Sequence, residues 1–167
     1  MKDNAAVYKT IISKRDTRAY TDRSVSADVQ HRILTAGRMA GSAKNEQPLR
    51  YIVIEEQKQK DALAACGEWT TPVRDAALVV VLLLESAKNP FDTGRAAQNI
   101  MLAAWAEGLT SCPVSVYPDT KVRKVLGYPD NFSAAIALAI GYPKEGSPMS
   151  QGSVRLSLGE LVHRETW

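Results

Sequence analysis

The 167-residue chain reads as an α+β protein, a mixed, largely antiparallel central sheet with helices on both faces, made by a single domain over residues 1–167. Three observations lead there. Residues 76–84 are continuously apolar with three valines at the centre, the composition of a strand covered on both sides. Residues 92–107 form a helix-length run with almost no polar face. Around these two, short helix-like and strand-like stretches alternate with no repeat, low-complexity tract or long linker between them, which predicts one sheet flanked by helices.

Taken in order, residues 5–14 predict a short helix. Ser26 is placed to cap a helix running through Ala40, with Asp28 in its positive first turn. Val29, Ile33, Ala36 or Gly37, and Ala40 fall on one face of that helix. Residues 51–55 predict a strand, and 57–65 a helix closed by Gly67. After the buried strand at 76–84 comes the helix at 92–107. Within 96–106 only Gln98 and Asn99 are polar, so this helix must be buried nearly all round. One domain of this length rarely surrounds a helix, so a second subunit is expected to cover part of it, with Met101 at the interface. Gly108 ends the helix. Residues 111–116 predict a strand broken by Pro113, Asp119–Leu126 a short helix, and 134–141 a second buried strand. The tail, 146–167, has few core-forming residues beyond Leu156, Leu158, Leu161 and Val162, the pattern of a segment that packs on another surface.

Composition excludes several function classes. A 45% hydrophobic and 23% charged balance is that of a soluble globular protein. A net charge of +3, with aromatics at 7% and not interleaved with the cations, argues against nucleic-acid binding. Cys66 and Cys112 form no CxxC pair, which predicts reduced thiols and a cytoplasmic protein. The N-terminus carries no signal-peptide pattern, and the longest apolar run is too short to span a bilayer. There is no GxGxxG, no P-loop, no HExxH and no GxSxG. His31 and His163 are the only histidines, so a dedicated zinc site is not expected. A chain this poor in catalytic side chains points to chemistry supplied by a cofactor.

Two stretches stand out. In SKRDTRAY, residues 13–20, Lys14, Arg15 and Arg18 put three cations within five residues; on a helix Lys14 and Arg18 would share a face. They are either a solvated helix end complementing the macrodipole or a phosphate site, since guanidinium forks and ammonium groups bind phosphate oxygens. In GSAKNEQP, residues 41–48, amides and a hydroxyl precede a strand. This is either a solvated turn or a holder for a flat polar ligand.

Together these stretches resemble the FMN-dependent nitroreductase family. Lys14-Arg15-Asp16-Thr17-Arg18 is similar to its basic RRSxR-like box, and 41–49 to its PSxxNxQPW-like box. Gln98-Asn99 with Gly108-Leu109, the Gly-Tyr-Pro at 141–143, and the tail at 155–163 follow in the family's order and spacing. The resemblance implies a nitroreductase-like three-layer α/β/α sandwich in an intertwined homodimer, with FMN at the subunit interface. It implies ping-pong reduction of a small-molecule acceptor, such as a nitroaromatic or quinone, by NADH or NADPH. A specialised redox enzyme of the same fold, or a non-catalytic flavin-binding protein, is the alternative. By resemblance, Lys14, Arg15, Asp16, Arg18 and Arg155 hold the phosphate, ribityl chain and pyrimidine edge. Gly41, Ser42, Ala43, Asn45 and Gln47 lie over the flavin of the neighbouring subunit. Pro113, Val114 and Ser115 run along the ring, with the Ser115 N–H at N5. No protein side chain is expected to be catalytic. The chain departs from the family pattern at Gly41 (usually proline), Asp16 (serine), Leu49 (tryptophan) and Val116 (glycine), and has Trp69 and Pro72 where some relatives use asparagine and lysine. With little room for an inserted lid, a more open pocket is expected.

Overall fold

The computed structural model describes residues 4–147 and 155–167; the first part of the tail, 148–154, lies outside them. In chain order the elements are α1 (Asn4–Ser13), α2 (Ala27–Arg38), a single 3-10 turn (Ala43–Asn45), β1 (Leu49–Ile54), α3 (Gln57–Ala64), α4 (Thr71–Asp75), β2 (Leu78–Glu85), α5 (Pro90–Ala106), β3 (Thr110–Val114), α6 (Asp119–Leu126), β4 (Phe132–Gly141) and α7 (Leu158–Leu161). The strands form one four-stranded sheet in the order β1-β2-β4-β3, every pair antiparallel. The parallel component is an isolated bridge from Asp16 to Ser111 on the β3 edge.

β2 is central because its residues can be buried on both faces. Leu78, Val80 and Leu82 pack with α2 and α5, while Val79, Val81 and Leu83 pack with α3, α4 and α6. This period-2 division of one apolar strand between two cores makes the molecule three-layered. On the first side α2 and α5 approach closely at Gly37, where a Cβ would lie 2.7 Å from Ile100 Cγ1. The Asn99 side chain ties the two helices by donating to the Ala36 carbonyl at 3.1 Å. Ser26 occupies the N-cap of α2 in extended conformation, yet its hydroxyl makes no capping hydrogen bond.

Three expectations need correction. Met101 is only 8% exposed and belongs to the core shared by α2, α5 and the sheet, so it is not an interface position. Pro113 does not break β3: it pairs with Leu138 on the outermost strand. The Ser111 carbonyl turns outward to accept from Thr17 N–H at 3.3 Å, so the backbone of Pro113, two residues on, also faces away from β4 and its missing N–H leaves no ladder bond unmade. Finally, α1 ends at Ser13, so Lys14, Arg15 and Arg18 share no helix face. The Asp16–Ser111 bridge and the Thr17 N–H bond draw this segment along the sheet edge instead.

α6 follows β3 and is locked by Asp119. Its carboxylate accepts from Tyr128 Oη at 2.5 Å, Ala134 N–H at 2.8 Å and Arg123 Nη2 at 2.6 Å. Burial alone would raise its pKa, but these donors hold it below the usual carboxylate value.

Candidate functional site: two cavities either side of the cationic segment

The extended segment 14–18 borders two cavities. The smaller, about 440 Å³, is lined by Lys14, Arg15, Asp16, Gln98 and Arg155, with Ile11 and Ile12 from α1. Lys14 is nearly buried; its ammonium pairs with Asp16 and lies 3.6 Å from Met101 Sδ. Arg15 Nη1 donates to the carbonyls of Ile12 at 2.8 Å and Lys14 at 2.9 Å, so it caps the end of α1 as well as lining the cavity. The helix-end reading therefore holds at Arg15, whose side chain also lines the cavity. Arg155 arrives from the far end of the chain to join them.

The larger cavity, about 990 Å³, lies along the β3 edge. Arg18 lines it together with Cys112, Pro113, Val114 and Ser115. Its far side comes from the turn between α3 and α4 and from the segment after β3, where Trp69 and Tyr117 are 86% and 75% exposed. Trp69 is thus a wall of the cavity and not a core aromatic. Ser115 has the same backbone parity as Ser111 and Pro113, so its N–H is directed off the sheet edge, and it has no acceptor among the described residues. Cys112 is buried, and burial pushes its thiol pKa up, opposed by the nearby Arg18 guanidinium. That matches a small buried residue and not a nucleophile.

The 41–48 loop folds on itself. Ser42 Oγ accepts from Gln47 N–H at 2.9 Å, and Asn45 N–H donates to the Ser42 carbonyl at 3.0 Å. Lys44, Asn45 and Gln47 all have positive φ, near +50°, a conformation that asparagine tolerates better than most residues. Asp92, buried in the first turn of α5, anchors the loop by accepting from Ala43 N–H at 3.2 Å. Gly41 borders a cavity of about 520 Å³ on α5, and Ser42 and Gln47 a small one of about 120 Å³. Neither is a cavity that Lys14 or Arg18 lines. The structure therefore brings Lys14, Arg15, Asp16 and Arg155 together, and separately Arg18 with Pro113, Val114 and Ser115. It holds the 41–48 loop apart from both.

Sequence reading missed α4, whose Thr71 lines the larger cavity, along with Glu68, Tyr117 and Pro118 on the cavity rim. The proline at position 72, in the first turn of α4, was the one usable signal. Asp92 was also missed as an anchor, although Asn89-Pro90 before it is a helix-start pattern; Asn89 does cap α5, accepting from Phe91 N–H at 2.9 Å.

The model of the Nitroreductase family matches residues 11–90 and 83–142. A curated relative from Archaeoglobus fulgidus, described as a "Putative NADH dehydrogenase/NAD(P)H nitroreductase", is 31% identical over 170 residues, covering 95% of this chain and 97% of the relative. A crystal structure from Desulfovibrio desulfuricans, described as "a putative nitroreductase in complex with fmn", superposes with a TM-score of 0.83 at 30% identity, covering 96% of this chain and 97% of that one. The NADPH:FMN oxidoreductase of Vibrio harveyi complexed with NAD+ has a TM-score of 0.88 at 22% identity, covering 96% of this chain and 77% of that one, a likeness of fold alone.

Proposed function

The chain belongs to the nitroreductase family, and from that membership we propose that it is an FMN-dependent oxidoreductase, one domain over residues 1–167 working as a homodimer, that uses NADH or NADPH to reduce nitroaromatic, quinone or similar acceptors by a ping-pong mechanism. The observation that carries this reading is the pair of cavities bordered by one cationic segment, a compact basic one and a larger one beside a strand edge.

The residues present fit FMN. Lys14, Arg15 and Arg155 supply the charge a phosphate needs, and Asp16 steers the Lys14 ammonium. The larger cavity has the volume and largely apolar walls that suit a planar ring. Ser115 offers it an unpaired backbone donor, and Pro113 a flat face without an N–H. Bound there, FMN would supply hydride and electron transfer between a nicotinamide donor and the acceptor, which would use one stacking space in turn. The chain's own part is binding and electrostatics. Arg18 would favour negative charge on the ring, the Ser115 N–H would help orient it, and the cavity walls would hold the reactants in register.

Two features support a homodimer. Val7, Tyr8, Ile11 and Ile12 leave an apolar face of α1 exposed by half or more, and Leu156, Leu158 and Leu161 do the same in the tail. The 41–48 loop also lines neither the Lys14 cavity nor the Arg18 cavity of its own chain, as expected if Ser42, Ala43, Asn45 and Gln47 serve a neighbour.

The visible spectrum of purified protein tests the proposal. Flavin absorption, release of FMN on denaturation, and NAD(P)H oxidation on adding a nitroaromatic or quinone are expected. A colourless protein that takes up no FMN would overturn the reading; bound FMN without NAD(P)H oxidation would reduce it to a binding protein.

A further inference from the structure

We propose that Arg95 is a specificity-determining residue that each chain contributes to the mouth of its partner's flavin site, where it selects substrates carrying a carboxylate or phosphate. The proposal rests on the shared flavin site described above.

Gly41 makes the arrangement possible. A Cβ at this position would lie 2.6 Å from Arg95 Nη2 and 3.2 Å from Cζ and Nη1, so the guanidinium occupies the space a side chain would fill. Where the family pattern has proline, this chain has a cation packed on the backbone of the 41–48 loop. The loop is itself held to α5 by Asp92, so Arg95 and the loop form one unit. If Ser42 and Asn45 lie over the partner's flavin, Arg95 is carried there with them.

The guanidinium is available for a ligand. None of its N–H groups has a hydrogen-bond acceptor among the described residues. Its nearest carboxylate oxygen, Asp92 Oδ1, is 4.0 Å away, the limit of an ion pair, and the other oxygen of that carboxylate already accepts from Ala43 N–H. The Phe91 ring, 5.9 Å from Cζ, gives only a weak cation–π contact. Arg95 remains 45% exposed.

The surroundings indicate what kind of ligand fits. Among the described residues Arg95 is the one charged residue lining the cavity of about 520 Å³ between the end of α2 and α5. Met39 and Phe91, 69% and 67% exposed, form its apolar walls, and at Gly94 a Cβ would meet nothing within 4 Å. Gln98 lines both this cavity and the basic one holding Lys14, Arg15 and Arg155. A planar apolar body with one anionic group matches this set: the shelf takes the body and the guanidinium fork takes two oxygens. Two substrates of the proposed reaction carry such a group, an aromatic acceptor bearing a carboxylate and a dinucleotide donor bearing an extra phosphate.

Equilibrium binding to the FMN-loaded protein, read by perturbation of the flavin absorption with no turnover, distinguishes the sources. One arm compares 4-nitrobenzoate with uncharged 4-nitrobenzamide; the other compares NADP+ with NAD+. The wild-type protein is expected to bind the more anionic member of at least one pair roughly tenfold or more tightly, the effect of one charge-assisted contact. Arg95→Gln should bring that ratio to about one. Preference in the first arm assigns the site to the acceptor's carboxylate, and in the second to the donor's phosphate. Flavin-loaded wild-type protein with no preference in either arm, or a preference that Arg95→Gln leaves intact, would overturn the proposal alone. Protein that takes up no FMN would overturn the reading beneath it and the proposal together.

Discussion

Arg18→Glu is expected to leave the protein essentially free of flavin. Among the described residues Arg18 is the one cation lining the larger cavity, whose wall it shares with the buried Cys112. Once a ring and a neighbouring loop cover that position, reversing its charge resembles breaking a buried ion pair, about 3–5 kcal/mol, or roughly a hundredfold to several thousandfold in FMN affinity. Arg18→Ala and Arg155→Ala each remove one charge-assisted contact and should cost about 1.5–3 kcal/mol, roughly tenfold to a hundredfold. Fluorescence titration of apoprotein with FMN measures all three. Unchanged affinity in both alanine variants would move the anion site away from this segment.

Ile11→Glu is expected to abolish the dimer and the bound FMN together. Ile11 is 51% exposed on the apolar face of α1 and also lines the basic cavity, so an interface there and the phosphate site share a wall. A two-fold interface would receive the new carboxylate twice, each desolvated copy weakening association by roughly 3–5 kcal/mol. Because Ile11 projects from its own chain, the fold of the single chain should survive, which a substitution at the buried Met101 could not guarantee. Sedimentation with absorption detection reads both properties at once. A wild-type protein that sediments as a flavin-loaded monomer would contradict the architecture.

The layers of this fold were legible in the sequence where burial imposes a period. The all-apolar run within β2 announced a strand between two cores, and Val29, Ile33 and Gly37 marked the inner face of α2. Ends were less clear, because edge residues answer to partners far along the chain. β1 begins at Leu49 and not at 51, since Leu49 and Arg50 pair with Leu84 and Leu83. α4 is five residues long, too short for any periodic signal. In the candidate site, motif spacing identified the cationic segment and the 41–48 loop but not how they are arranged. That Lys14 and Arg18 enter different cavities follows from the hydrogen bond to the β3 edge, a contact across more than ninety residues that local spacing does not encode. Arg95 carries no motif, and its position depends on the absent side chain of Gly41.

The central claim, that each flavin site is built from two chains, is tested most directly by complementation. Arg18→Glu places a carboxylate at the site its own chain anchors, and Asn45→Asp places one by the partner's ring; either homodimer should be flavin-poor. In a heterodimer purified through different tags on the two chains, both lesions fall in one site. The other site then receives an intact Arg18 from one chain and an intact Asn45 from the other. Preorganised geometry there should restore about half of the wild-type FMN loading. An intact heterodimer that binds no FMN would contradict the shared site and return the 41–48 loop to its own chain.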